Sequence, residues 1–271
     1  MPTILEARDP IGVFDSGIGG LTVVRALIEE LPNERIVYFG DTARVPYGTK
    51  SQEAVIRFSK ENVAFLLRHK VKMVVVACNT ASSWALDILT EAFPLPILGV
   101  IAPGARKAAR TTRNKKVGVI ATPSTIASNQ YARHVAALDR GIRVFSKACP
   151  LFVPLVEEGR LKGKITTDIV REYLTPFKKA HVDTLILGCT HYPLLKKVIH
   201  QVMGAKVVLV DSASEIAQEV KNVLGQRYLL RSGGAKPRHT FLVSDQPRHF
   251  QKLAGQFLGW EPTSVQRSID V

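Results

Sequence analysis

The chain is 271 residues long and carries 37 Lys and Arg against 23 Asp and Glu, so its formal net charge is +14 at pH 7. At roughly 100–200 residues per domain, this length allows one large domain or two small ones. The composition, 46% hydrophobic and 22% charged, is typical of a globular protein and excludes disordered and collagen-like chains. Charge-free stretches such as residues 73–86 are too short for a membrane span, which needs about 18 or more mostly apolar residues.

The N-terminal segment and the cysteines bear on the compartment of the protein. The first nine residues lack a basic start followed by an apolar segment, so we expect no signal peptide. Three cysteines make no disulfide framework in a chain of this length and fit a reducing compartment, which predicts a cytoplasmic location. The positive charge leaves three alternatives open: polyanion binding, attraction of an acidic small substrate, or simply a solvated surface.

Short apolar runs alternate with longer amphipathic stretches along the chain. The first elements are a strand at 11–14, a helix at 21–31, a strand at 36–39, a helix at 51–69 with Ser51 as N-cap, and a strand at 73–77. The β-branched run at 73–77 is typical of a strand buried on both faces. Further strands are predicted at 97–101, 117–120, 142–145, 184–187 and 207–210. This alternation predicts an α/β fold of mainly parallel sheets flanked by helices.

Two parts of the chain resemble each other. Residues 11–16 resemble residues 117–122, and residues 74–80 resemble residues 185–191. The two matched pairs also have similar spacing, because Ser16 precedes Cys78 by 62 positions and Thr122 precedes Cys189 by 67. We therefore predict two related α/β halves, with chance similarity of apolar strands as the alternative.

Polar motifs follow four of the predicted strands, where ligands of open parallel sheets bind. These motifs are Asp15-Ser16, Asp41-Thr42, Cys78-Asn79-Thr80 and Cys189-Thr190-His191. The glycine-rich loop after Asp15 has Thr22 where a dinucleotide-binding loop has its third glycine, and it lacks the Lys of a P-loop. A nucleotide site is thus disfavoured, and the alternative for this loop is a tight turn with Asp15 as a helix cap.

Cys78 and Cys189 occupy equivalent places in the two halves, and His191 lies two residues after Cys189. A zinc site usually needs four clustered ligands, and these cysteines are isolated, so no metal is expected. Cys–His hydrolysis would use one nucleophile and leave the other cysteine without a role. Two matched thiols suit acid–base chemistry on opposite faces of one carbon atom. A structural role for either cysteine is the alternative, and Cys149 is interpreted as structural.

Six segments carry a resemblance to the glutamate racemases of the aspartate/glutamate racemase family. They are GVFDSGIGGL (12–21), YFGDTARVPYGTKS (38–51), VVACNTA (75–81), GVIATP (118–123), CPLFVPLVEEG (149–159) and LILGCTHYPLL (185–195). The resemblance implies interconversion of L- and D-glutamate without a cofactor, supplying D-glutamate for peptidoglycan synthesis in the cytoplasm. It also implies two α/β domains with the site between them, one formed by residues 1–98 and 208–271 and the other by residues 99–207. The strand over residues 207–212 is expected to make the return to the first domain.

The same resemblance implies roles for individual residues. Cys78 is expected to act on the D-glutamate face with Asp15 as helper, and Cys189 on the L-glutamate face with His191. Glu157 is a further helper candidate, or else a solvated acid at a helix end. The substrate-binding candidates are Asp15, Ser16, Tyr47, Gly48, Asn79, Thr80, Thr122, Thr190 and His191. Glutamate is the expected ligand, and a homodimer is the expected assembly.

Two alternatives to this function stay open. One is an aspartate racemase or another amino-acid racemase that uses the same pair of thiols. The other is a basic nucleic-acid-binding protein, whose best patch is Arg106, Lys107, Arg110, Arg113, Lys115 and Lys116. No nucleic-acid motif and no interleaved aromatic residues accompany that patch, so a solvated surface is the favoured interpretation.

Overall fold

A computed structural model describes residues 5–268 as strands and helices that alternate along the chain. The strands are β1 (Ile11–Asp15), β2 (Ile36–Gly40), β3 (Met73–Val76), β4 (Ile97–Gly99), β5 (Lys116–Ala121), β6 (Arg143–Ala148), β7 (Thr184–Gly188), β8 (Val208–Asp211), β9 (Thr240–Val243) and β10 (Gln266–Arg267). The helices are α1 (Leu21–Glu30), α2 (Gln52–Leu67), α3 (Asn79–Ala92), α4 (Ile101–Thr111), α5 (Pro123–Ala127), α6 (Gln130–Leu138), α7 (Phe152–Glu157), α8 (Lys164–Lys179), α9 (Lys196–Met203), α10 (Ser212–Gln226) and α11 (Pro247–Leu258). Short 3₁₀ helices span Tyr47–Thr49 and Tyr192–Leu195.

The strands form two sheets in which every pair is parallel. The first sheet has the order β10-β9-β2-β1-β3-β4 and the second the order β6-β5-β7-β8. The central strands β1, β3 and β7 are buried along their whole length, as parallel strands covered by helices on both faces must be. The predicted fold class is therefore confirmed.

The two sheets share one topology, which agrees with the internal similarity of the sequence. The order β2-β1-β3-β4 in the first sheet repeats as β6-β5-β7-β8 in the second. Strand β1 thus corresponds to β5, and β3 corresponds to β7. Because Ser16 follows β1 and Thr122 follows β5, while Cys78 and Cys189 follow β3 and β7, the matched residues occupy matched strand ends.

The strand expected to return the chain to the first domain lies in the second sheet, so that assignment was wrong. Strand β8 pairs with β7, with Val208 opposite Thr184, and takes the place that β4 takes in the first sheet. The chain leaves the second sheet after Asp211, whose Oδ1 accepts a hydrogen bond of 2.9 Å from the Ala213 N–H and caps α10. The domain division at 98/99 and 207/208 stays a prediction, and its ends at 1–4 and 269–271 lie outside the described residues.

Four further details differ from or agree with the sequence expectations. The strand predicted at 97–101 ends at Gly99 because α4 begins at Ile101, and strands β9 and β10 were not predicted. The N-cap at Ser51 is confirmed, since its side chain accepts a hydrogen bond from Ala54 N–H at 3.3 Å. The alternative of Asp15 as a helix cap is wrong, because the N-cap of α1 is Gly20 and has no side-chain hydrogen bond.

Within residues 5–268, no helix combines the length and the apolar composition needed to cross a membrane. The expectation about a signal peptide concerns a segment whose first four residues lie outside this range.

Candidate active site

The carboxyl ends of the matched strands of both sheets meet at one cavity of about 320 Å³. This volume is in the range of small-molecule sites. Every predicted site residue except Asp15 lines it: Ser16, Tyr47, Gly48, Cys78, Asn79, Thr80, Thr122, Glu157, Cys189, Thr190 and His191. The structure therefore brings together residues that are up to 175 positions apart in the chain.

Cys78 lies at the N-terminus of α3 and is 5% exposed. Its Sγ accepts a hydrogen bond from Ala81 N–H at 3.5 Å and donates one to Ser16 Oγ at 3.6 Å. Burial raises the pKa of the Cys78 thiol to about 12, and the charge of Asp15 adds to that rise, whereas the bonds to Ala81 and Ser16 oppose it. This thiol is therefore protonated at neutral pH.

Asp15 is fully buried beside the cavity and does not line it. Its Oδ2 accepts a hydrogen bond of 2.9 Å from Gly17 N–H. Burial raises the pKa of Asp15, while the charge of His191 and the N–H groups of the glycine-rich loop lower it. Its Oδ1 is buried and has no hydrogen-bond partner within the described residues. A carboxyl group held this way is suited to exchange a proton locally.

Cys189, His191 and Glu157 form a row of three ionisable groups. His191 Nδ1 lies 3.9 Å from Cys189 Sγ, and His191 Nε2 lies 2.9 Å from Glu157 Oε1. Burial by itself lowers the pKa of His191, but the hydrogen bonds to Cys189 and Glu157 outweigh it and raise this pKa to about 10. The ring is therefore an imidazolium at neutral pH, which makes it a counter-ion for a thiolate at Cys189.

The two thiols interact through space, since a charge on Cys189 contributes to the raised pKa of Cys78. Their partners differ in sign: the ionisable neighbour of Cys78 is a carboxyl group, and that of Cys189 is a protonated imidazole. The two thiols thus occupy matched strand ends but have neighbours of opposite charge: Cys78 is protonated beside a carboxyl group, and Cys189 lies beside a cation.

Threonine hydroxyl groups join the two halves across the cavity. Thr80 Oγ1 of α3 lies 3.0 Å from Thr122 Oγ1, and both contact Thr125 Oγ1, at 3.1 and 2.9 Å. Trp84 Nε1 also donates to Ser124 Oγ at 2.9 Å. Because α3 follows a strand of the first sheet and α5 a strand of the second, these bonds fix the separation of the two strand ends.

The loop after β2 brings Tyr47 and Gly48 to the cavity. The Tyr47 hydroxyl donates to the buried Asp41, which also accepts from Arg44 Nε at 2.7 Å. Gly48 packs directly on Thr122, and a Cβ at this glycine would lie 2.7 Å from Thr122 Cβ. Only glycine permits this close contact between the first-half loop and the second half.

The glycine-rich loop packs against the turn that carries Thr190 and His191. Thr22 Oγ1 donates to the Thr190 carbonyl oxygen at 3.3 Å, and a Cβ at Gly19 would lie 2.2 Å from Thr190 Oγ1. The glycines therefore permit the close approach of two loops, a role that differs from the tight turn and the nucleotide-binding loop considered from the sequence.

Some residues that support the site were not predicted. Thr125, Tyr131 and Ser212 make buried hydrogen bonds to lining residues or to one another, yet no motif marks them in the sequence. Arg44 lies inside a recognised segment, which is its only sequence signal, whereas Asp41 also belongs to one of the polar motifs at strand ends. Across the part of the chain that the structure describes, no group of three or more His, Cys, Asp or Glu could hold a metal ion.

Comparison with known proteins identifies the family. The sequence model of the Asp/Glu/hydantoin racemase family matches residues 11–220. The chain belongs to this family. The glutamate racemase of Geobacter metallireducens is 50% identical over 92% of both chains. The family resemblance and the prediction of an amino-acid racemase are therefore confirmed.

Solved structures of other family members have the same fold as this racemase. A glutamate racemase isoform from Bacillus anthracis matches with a TM-score of 0.93 and 41% identity, over 97% of this chain and 98% of that one. The glutamate racemase of Francisella tularensis, solved in complex with D-glutamate, matches with a TM-score of 0.91 and 41% identity over the same shares. Because 97% of this chain is covered in both matches, the similarity extends over both sheets.

Proposed function

We propose that the protein interconverts L- and D-glutamate without a cofactor, using Cys78 and Cys189 as two bases. The observation that carries this proposal is the shared cavity: both thiols line it from matched strand ends, each with its own ionisable partner. The substrate follows the relatives, which are glutamate racemases at 44–51% identity. D-Glutamate bound to the Francisella tularensis relative supports the same assignment.

In the direction from L-glutamate, the Cys189 thiolate removes the α-proton. The C–H bond breaks, an S–H bond forms on Cys189, and the electron pair delocalises into the substrate carboxylate. The Cys78 thiol then delivers its proton to the opposite face, which yields D-glutamate and leaves Cys78 as thiolate. Between turnovers the His191 imidazolium gives a proton to Glu157 and then takes the one that Cys189 gained, while Asp15 gives a proton to the Cys78 thiolate. Solvent takes the proton from Glu157 and returns one to Asp15, so both thiols regain their starting states. The reverse reaction exchanges the roles of the two cysteines.

The carbanion-like transition state needs donors around the carboxylate, because the α-proton is far less acidic than a thiol. The described residues that line the cavity include no Lys or Arg, so hydroxyl, amide and backbone N–H groups and the His191 cation must bind the substrate. We assign this binding to Ser16, Tyr47, Gly48, Asn79, Thr80, Thr122, Thr190 and His191, with Asp15 acting from behind. Enclosure of these donors between the two halves strengthens them.

The cellular role proposed for this activity is the supply of D-glutamate for peptidoglycan synthesis in the cytoplasm, by a homodimer. Aspartate or another amino acid is the alternative substrate. The nucleic-acid alternative is weakened by the structure, because the basic patch is partly neutralised. Arg106 and Lys107 pair with Glu219 and Glu215, and Lys115 lies 3.3 Å from Asp139.

The test is incubation of L-glutamate in deuterated water followed by chiral separation and mass analysis. With two bases, D-glutamate formed early carries solvent deuterium, while recovered L-glutamate keeps its protium. Early deuterium in the recovered L-glutamate at the same level would contradict the two-base mechanism. A parallel incubation with L-aspartate tests the alternative substrate. A protein that racemises neither amino acid would contradict the proposed function.

A further inference from the structure

A buried tyrosine contacts the residues that neighbour both thiols. Tyr131 belongs to α6 in the second half and is 3% exposed. Its ring packs against Gly188, the residue before Cys189. Its hydroxyl donates a hydrogen bond of 2.7 Å to Oδ1 of Asn79, the residue after Cys78.

The hydroxyl of Tyr131 has a second partner, which sets the direction of the hydrogen bonds. Ser212 is the first residue of α10, where the chain leaves the second sheet, and its Oγ lies 3.3 Å from the Tyr131 hydroxyl. A phenol has one proton to give. Because that proton goes to Asn79, Ser212 donates to the phenol oxygen, and the bonds run from Ser212 through Tyr131 to Asn79.

This arrangement determines what Asn79 offers to the cavity. Asn79 lines the cavity, and its carbonyl oxygen Oδ1 is bonded to Tyr131. Within residues 5–268 its amide nitrogen Nδ2 makes no hydrogen bond to protein. With Oδ1 bonded to Tyr131, the side-chain amide has the two N–H donors of Nδ2 left for a ligand in the cavity.

We propose that Tyr131 is a positioning residue that holds the Asn79 amide as a hydrogen-bond donor for the substrate carboxylate. The proposal rests on the glutamate site described above. Asn79 immediately follows Cys78, so its orientation also sets where the carboxylate lies relative to that thiol. Tyr131, in the second half, thereby positions a substrate-binding side chain, Asn79, that belongs to the first half.

The test is a double-mutant cycle with Tyr131→Phe, Asn79→Ala and the double variant. The readout is the Kd for racemic glutamate by calorimetry, because racemic substrate does not change composition whether or not the protein turns it over. Tyr131→Phe keeps the ring and removes only the hydroxyl. We expect it to weaken binding about tenfold in the wild-type background and by less than about twofold with Asn79→Ala. An equal factor in both backgrounds, or no change in Kd, would overturn the proposal.

Asn79→Asp tests the donor direction, since the change is isosteric and replaces the N–H₂ group by a charged oxygen. We expect it to bind glutamate more weakly than Asn79→Ala. Binding as tight as or tighter than that of Asn79→Ala would mean that an acceptor faces the substrate, and the proposal would fall. Tyr192→Phe is the matched stability control, because it removes a buried hydroxyl that donates to the Cys149 carbonyl oxygen at 2.8 Å. A larger drop in Tm for Tyr131→Phe than for this control would mark a general structural role.

Racemisation by the wild-type protein distinguishes failure of the Tyr131 role from failure of the proposed function. A protein that binds glutamate but does not racemise it would refute the proposed function and leave the coupling between Tyr131 and Asn79 measurable. A protein that does not bind glutamate would refute both.

Discussion

Glu157 Oε1 lies 2.9 Å from His191 Nε2, although the two residues are 34 positions apart. The Glu157 side chain is 43% exposed, whereas that of His191 is 7% exposed. Glu157 therefore lies at the mouth of the cavity and contacts Nε2 of the imidazole, while Nδ1 of the same ring faces Cys189. This arrangement links a buried thiol to solvent through two titratable groups, and the helper role proposed for Glu157 rests on it.

The first prediction concerns the pH dependence of stability. The pKa of His191 in the folded protein, about 10, lies above its ordinary value of 6.5. The stabilisation from protonated His191 is therefore complete below about pH 6.5 and is lost as the pH rises toward about 10. We expect Glu157→Gln to lower this pKa, so that the loss in free energy of unfolding is largest near pH 6.5 and disappears as the pH rises toward about 10. Urea unfolding from about pH 6 to about pH 10 measures it.

Glu158→Gln is the matched control for this prediction, because it removes the neighbouring carboxylate at the end of the same helix. Its pH profile should follow that of the wild type. If Glu157→Gln also gave a curve parallel to the wild type from about pH 6 to about pH 10, the contact would not stabilise the imidazolium.

The second prediction concerns the two thiols. Cys78→Ala and Cys189→Ala should each reduce racemisation in both directions by at least about 10²–10⁴-fold, since each face of the α-carbon loses its acid or base. Cys78→Ser and Cys189→Ser should also fail at pH 7, because a serine hydroxyl is much harder to ionise than a thiol. Polarimetry gives the rates. Cys149→Ala removes the third buried cysteine and should retain turnover; near-normal activity in either of the other Ala variants would contradict the two-base mechanism.

The third prediction uses the contact between Gly48 and Thr122. Gly48→Ala places a methyl group 2.7 Å from Thr122 Cβ, so the loop with Tyr47 must move away from the second half. We expect an overpacking cost of about 1–3 kcal/mol in the free energy of unfolding, together with a higher KM. Gly225→Ala is the control, since its new methyl group would lie 3.5 Å from the nearest atom. An unchanged KM in Gly48→Ala would show that the loop does not need this contact.

The fourth prediction is that racemisation proceeds without an added metal or pyridoxal phosphate. The reason lies in the sequence, where the cysteines lack the spacing of metal ligands and no lysine occupies a motif for a Schiff base. Activity should survive exhaustive dialysis against a chelator. Loss of activity that one metal restores would contradict the two-thiol chemistry.

Strand positions and cavity residues could be predicted because they leave local signals. Apolar runs marked the strands from β1 to β8, and motifs at strand ends marked Cys78 and Cys189. The sheet that β8 joins was mispredicted, since strand pairing is a long-range property. The internal similarity of the two halves would have predicted it, because β8 lies beside β7 as β4 lies beside β3. Tyr131 was missed because its role arises from one hydrogen bond to Asn79 across 52 positions, which no local pattern encodes.

The last prediction concerns the helper roles proposed for Asp15 and His191. The charge of Asp15 raises the pKa of Cys78, and His191 Nδ1 lies within hydrogen-bonding distance of Cys189 Sγ. His191→Asn should therefore slow proton abstraction from L-glutamate more than from D-glutamate, and Asp15→Asn should do the opposite. Removing a positioned acid–base group typically costs about 10²–10⁴-fold, which is enough to change the limiting step.

Net turnover cannot reveal this asymmetry, because the equilibrium constant fixes the ratio of kcat/KM in the two directions. Primary isotope effects with α-deuterated L- and D-glutamate can, since they report which proton transfer limits the rate. In His191→Asn the isotope effect should grow with α-deuterated L-glutamate, because abstraction by Cys189 becomes the slow step. In Asp15→Asn it should grow with the D-enantiomer, through Cys78. Identical isotope effects for both variants and both enantiomers would mean that Asp15 and His191 bind the substrate without assisting proton transfer.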